Sequence, residues 1–103
     1  MTKPATVHVH LQEGFEAEPV RVSIDDRVVL DDPAVRTKPQ IGLAHTFEAD
    51  TTAAHIVVHV ELGGRHTERR VEVDPQRTPW VGVSVGDNGE VLVRMQSEPF
   101  GYL

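Results

Sequence analysis

Six histidines are the residues of this chain best equipped for chemistry: His8, His10, His45, His55, His59 and His66. Imidazole is a metal ligand and exchanges protons near neutral pH. His8 and His10 are one residue apart, so on a strand they share a face with their Cα atoms about 7 Å apart. Two rings at that separation can chelate one ion. His55 and His59 also share a strand face, but about 13 Å of strand separates them. With Zn–N bonds of about 2.0–2.1 Å, one ion reaches both only across a bulge. A helix would bring His55 and His59 together. That reading fails, because Ile56, Val57 and Val58 are all β-branched and the glutamate of the H-E-x-x-H zinc motif is missing. The candidate metal ligands are therefore His8, His10, His55 and His59, and these ligand types suit Zn or Cu. A site using both pairs needs the first strand beside the fifth. In an immunoglobulin-type order the second strand stands between them. Rim positions on a sheet account for the histidines without a metal, so the expected cofactor is none.

Two other patterns invite a catalytic reading. Gly82-Val83-Ser84-Val85-Gly86 matches G-x-S-x-G, in which a strand-to-helix turn presents a serine nucleophile. Here the serine sits within alternating valines, and Asp87-Asn88-Gly89 follows as a hairpin turn. Gly82 is better read as a bulge or a close backbone approach. Asp25-Asp26 and Asp31-Asp32 are adjacent carboxylates. Both pairs border turns, where Asp side chains bond nearby backbone amides. No catalytic residue is expected from these features.

The end of the chain is a different kind of candidate. Phe100 and Tyr102 are two of only five aromatic residues, and Leu103 follows them. Such a segment either folds back to close the open end of the domain or offers an aromatic anchor to a partner. Phe100, Tyr102 and Leu103 are thus the candidate partner-binding residues. Val57 and Leu92 are expected on outer sheet faces, where they mark a surface for a protein partner or for self-association.

The elements that position these residues follow from valine, the commonest residue with 17 copies. A branched Cβ suits a pleated surface. Apolar residues recur at every second position: Val7, Val9, Leu11; Val20, Val22, Ile24; Ile56, Val58, Val60, Leu62; Val71, Val73; Val81, Val83, Val85; Val91, Val93, Met95. Leu43, His45, Phe47 and Ala49 allow one more strand. This period is that of half-buried strands. The seven prolines all fall outside these runs, and residues 31–41 read as a loop with one short edge strand. Residues 50–54 read as a turn. The pattern predicts an all-β domain over residues 1–103. Its fold class is a small antiparallel β-sandwich of 7–8 strands, immunoglobulin-like or transthyretin-like in architecture, with a small β-barrel as the alternative. The core is expected to be mostly valine, with Phe47, Met95 and either Trp80 or Phe15 in the wider gaps.

Composition bounds the function. Sixteen acidic against ten basic residues give a formal charge of -6, the wrong sign for nucleic acid or an anionic membrane surface. The absence of cysteine excludes disulfides, thiolate catalysis and Cys-ligated zinc. No apolar run approaches the roughly 18 residues of a membrane helix, and the first residues lack a signal-peptide core, so a cytoplasmic location is expected. Size and sandwich architecture are shared with the transthyretin-like hydrolases of urate breakdown. Their C-terminal Tyr-Arg-Gly-Ser is replaced here by Phe100-Gly101-Tyr102-Leu103, so that activity does not carry over. The expectation is a non-catalytic binding or protein-interaction module; the alternative is a histidine-based metal-binding protein.

Overall fold

The computed structural model describes residues 3–64 and 67–102. Among them are eight strands: β1 (Ala5–Leu11), β2 (Glu16–Ile24), β3 (Arg27–Arg36), β4 (His45–Thr51), β5 (Ile56–Leu62), β6 (Thr67–Val73), β7 (Trp80–Val85) and β8 (Val91–Gln96). They form two four-stranded sheets, ordered β4-β1-β7-β8 and β3-β2-β5-β6. The fold is an all-β sandwich, and neither sheet closes into a barrel. Period-two alternation generates it directly. Val7, Val9 and Leu11 of β1, with Val81 and Val83 of β7 beside them, face Val20, Val22, Val58 and Val60 of the other sheet across the interior, all at most 1% exposed. Each such side chain contributes about 1.5–3 kcal/mol on leaving water. Phe15 joins the core at 2% exposure, whereas Met95 is 40% exposed and Trp80 stands on the outer face.

Several expectations need correction. The sheets are not wholly antiparallel, since β1 pairs in parallel with β7 in the register His8↔Trp80 to Leu11↔Val83. The first and second strands do not pair: β1 lies between β4 and β7, and β2 belongs to the other sheet. The edge strand within residues 31–41 is not a short one of its own: residues 31–36 continue β3. Two prolines lie within strands, each where its missing N–H costs nothing. Pro33 is on β3, an edge strand, and Pro19 falls at a register shift between Glu18 and Val20.

The turns bear out their residues. Asp25 and Asp26 have φ of +50° and +67° and join the directly paired Ile24 and Arg27. Two positive φ values in a two-residue loop are the type I′ geometry that matches strand twist. Asp25 Oδ1 accepts the Val57 N–H at 2.8 Å and Asp32 Oδ1 accepts the Ala34 N–H at 2.9 Å, so both aspartate pairs serve backbone geometry.

Candidate functional site

The outer face of the first sheet carries the site. With Val81, Val83 and Val85 inside, Trp80, Gly82 and Ser84 must face out. Cross-strand register then sets the rows. Glu48, His8, Trp80 and Gln96 lie side by side, and Thr46, His10, Gly82 and Arg94 form the next row. His8 and Trp80 stack, ring centres 3.9 Å apart and planes 7° from parallel. Glu48 Oε1 lies 3.2 Å from His8 Nδ1. His10 meets Trp80 edge-on at 5.5 Å.

Into this face folds the C-terminal segment. Gly82 leaves a gap in the second row, and the Phe100 ring fills it. A Cβ on Gly82 would lie 2.9 Å from Phe100 Cζ and 2.6 Å from Gln12 Oε1. Phe100 is 9% exposed, with His10, Trp80 and the Arg94 guanidinium around it, the last 5.2 Å from its ring centre. Tyr102 follows on the same side. Its hydroxyl accepts the Gln12 Nε2–H at 2.9 Å and lies 2.7 Å from His10 Nδ1. Its own proton then goes to Nδ1 of neutral His10. Burial, and then the neighbouring His8, lower the His10 pKa, and Glu48 opposes them. Gln96 Nε2 donates to the Glu98 and Pro99 carbonyls, fixing the turn into the strap.

Beyond the strap lies a groove of about 690 Å³. One wall is Gly101 and Tyr102, and the other is residues 39–42, held by the Lys38↔Leu43 bridge. Its floor includes Ser84, Leu92 and Arg94. Ile41, Leu92 and Tyr102, three of the exposed large apolar residues, all border it.

The structure separates the proposed histidine set. His8 and His10 lie on the first sheet, while His59 is on β5 of the second and His55 just precedes β5. The four do not converge, because β1 and β5 belong to opposite layers. No group of three potential metal ligands occurs among the described residues. His59 is buried at 8% on its own outer face, 3.4 Å from Glu61 Oε1 and 3.5 Å from Glu68 Oε2. His55 is exposed beside Glu72, Asp74 and Arg77. His66 and Leu103 lie outside the described residues.

The tail does fold back, but over the outer face of the first sheet rather than over an open end. Phe100 is therefore no free anchor, its ring being enclosed in the Gly82 gap. Tyr102 keeps one face toward the groove. Ser84 lies within β7, not on a strand-to-helix turn, with its Oγ 3.4 Å from Glu13 N. Gln12, Arg94 and Ile41 were not singled out from sequence, and Trp80 was named only as a candidate for the core. For Trp80 and Arg94 the signal was present: strand parity puts both outside, flanking a glycine. No protein-family profile matches the chain, and no curated protein matches it in sequence.

Proposed function

We propose that the chain is a non-catalytic protein-interaction module that takes a segment of a partner polypeptide in the groove between its C-terminal strap and residues 39–42. The observation that carries the reading is the gathering of Ile41, Leu92 and Tyr102 around one groove, at 37%, 46% and 36% exposure. Binding sites are concave, with apolar walls and a few polar groups to fix orientation. Gln12, Glu13, Gln40, Ser84 and Arg94 are among the polar groups here. The groove reaches β8, an edge strand, so an extended chain has a place to lie. We place the module in the cytoplasm, where a fold that uses no disulfide loses nothing.

The test is selection of displayed random peptides on the protein and, in parallel, on Ile41→Asp and Leu92→Asp. Both side chains are exposed, so the substitutions spare the core. Sequences enriched on the natural protein and lost on both variants support the reading. Equal enrichment on all three, or none, refutes it.

A histidine-based metal protein is the second reading, and one contact favours it. His8 Nδ1–H donated to Glu48 leaves Nε2 as a free electron pair, the second-shell pattern of metal-binding histidines. Among the described histidines His8 and His10 are the pair that can take part, with Zn or Cu. Equilibrium dialysis against Zn²⁺ should then show one ion per chain, lost in His8→Ala. Retention of no zinc eliminates it.

A further inference from the structure

We infer that the partner segment binds as an added strand, antiparallel to β8, and that its outward side chains read acidic-x-apolar from N- to C-terminus. This rests on the groove reading above and specifies its ligand.

The backbone supplies the first argument. β7 turns the Pro79 and Val83 carbonyls and the Val85 N–H toward β1 and the loop that follows it. Trp80, Gly82, Ser84 and Gly86 therefore face β8, in register with Gln96, Arg94, Leu92 and, at the turn, Glu90, whose carbonyl accepts the Gly86 N–H at 2.9 Å. Alternation along an antiparallel ladder leaves Val91, Val93 and Met95 with N–H and C=O pointing away from β7. The Val91 carbonyl confirms the direction, because Arg69 Nη1 reaches it from outside the sheet at 3.0 Å. That oxygen keeps a second lone pair.

Comparison of the four sheet edges supplies the second argument. Edge strands are normally guarded by charge or proline. β3 carries Asp31, Asp32 and Pro33; β4 carries Glu48 and Asp50; β6 carries Glu68, Arg69, Arg70 and Glu72. β8 reads Val-Leu-Val-Arg-Met-Gln, with Arg94 its one charge. By its own residues it is the least charged of the four edges, with Arg69 of β6 set against it at Val91.

Side chains supply the third. Leu92 and Arg94 point to the outer face, so the residues opposite them on an added strand do too. Leu92 opens on the groove with Ile41 and Tyr102 and calls for an apolar side chain. Arg94 pairs with no carboxylate among the described residues of a chain carrying charge -6. It calls for an acid. Antiparallel direction places the acid two residues before the apolar residue. Main-chain bonds then provide affinity, and the alternating pockets provide selectivity.

The probe is the synthetic peptide Lys-Thr-Glu-Thr-Leu-Thr-Lys, with blocked ends, titrated into the full chain. Interfaces of this small area are weak, so a Kd of about 0.1–1 mM is expected. Amide exchange at Val93 and Met95 should slow on binding. Val93→Pro removes an N–H that β7 does not use and should weaken binding about tenfold or more. Arg94→Glu should weaken it severalfold, and replacing the peptide's Glu by Lys should restore it. This exchange of charges holds even if Val93→Pro unfolds. Two results overturn the inference. One is peptide binding with neither protection at Val93 and Met95 nor a charge-exchange effect, which leaves the groove reading intact. The other is no binding at millimolar peptide, including the case in which β8 pairs instead with a second copy of the chain. Failure of the groove reading itself is seen separately, as display selection that ignores Ile41→Asp and Leu92→Asp.

Discussion

Phe100 and Gly82 are complementary: the ring occupies the space that a side chain at position 82 would fill, with Phe100 Cζ 2.9 Å from the position of a Cβ there. Ala at position 82 must displace either the ring or the Gln12 amide. Gly82→Ala should cost about 1–2 kcal/mol, as overpacking does. Phe100→Ala should cost about 2–3 kcal/mol, below the usual core value because the strap lies on the surface. The double variant should lose clearly less than the sum, since neighbours couple. Urea denaturation of the four proteins measures this; strict additivity would show that the two do not touch.

His10 makes the strap sensitive to acid. Burial and His8 hold its folded pKa below the ordinary 6.5. Between those two values the unfolded chain binds more protons than the folded one, so stability falls as pH drops through 6.5 and levels below the folded pKa. Compared with His10→Gln, the natural protein should lose urea resistance from pH 7.5 to 5. Parallel curves for the two proteins would contradict this.

The β2–β3 turn can be improved. Asp26 has φ +67°, a region that costs residues with a Cβ, and glycine is the preferred second residue of a type I′ turn. Asp26→Gly should add up to about 1 kcal/mol. Its ion pair with Arg70 is long, at 3.7 Å between exposed side chains, so little is lost with it. A lower thermal midpoint would count against the assignment.

The formal charge is -6 at pH 7 and the pI is 5.4, so the net charge falls toward zero as the pH is lowered to that value. Molecules near zero net charge associate. Particle size by light scattering should rise between pH 7.5 and 5.5, and a constant size would argue otherwise.

Strand number and the two-layer fold were legible because valine marks one face at every second residue. Pairing partners were not, since parallel β1–β7 contact depends on which edges meet in space and leaves no local pattern. Residues 31–41 were read as loop with one short edge strand because Pro33 and two aspartates look like loop; residues 31–36 continue β3, and an edge strand tolerates all three. Of the site, His8 with His10 and Phe100 with Tyr102 were legible as separate pairs. Nothing local joined them. Gly82 was the missing link: its lack of a side chain, recognised as a close approach, is where the tail docks. His55 and His59 drew attention through spacing alone, and spacing does not say which sheet a strand enters.

The most direct measurement is a ¹H–¹⁵N titration of labelled protein with a display-selected peptide. Shifts confined to β8, residues 39–42 and Gly101–Tyr102 are expected. Shifts centred on the outer face of the β3-β2-β5-β6 sheet would contradict binding in the groove.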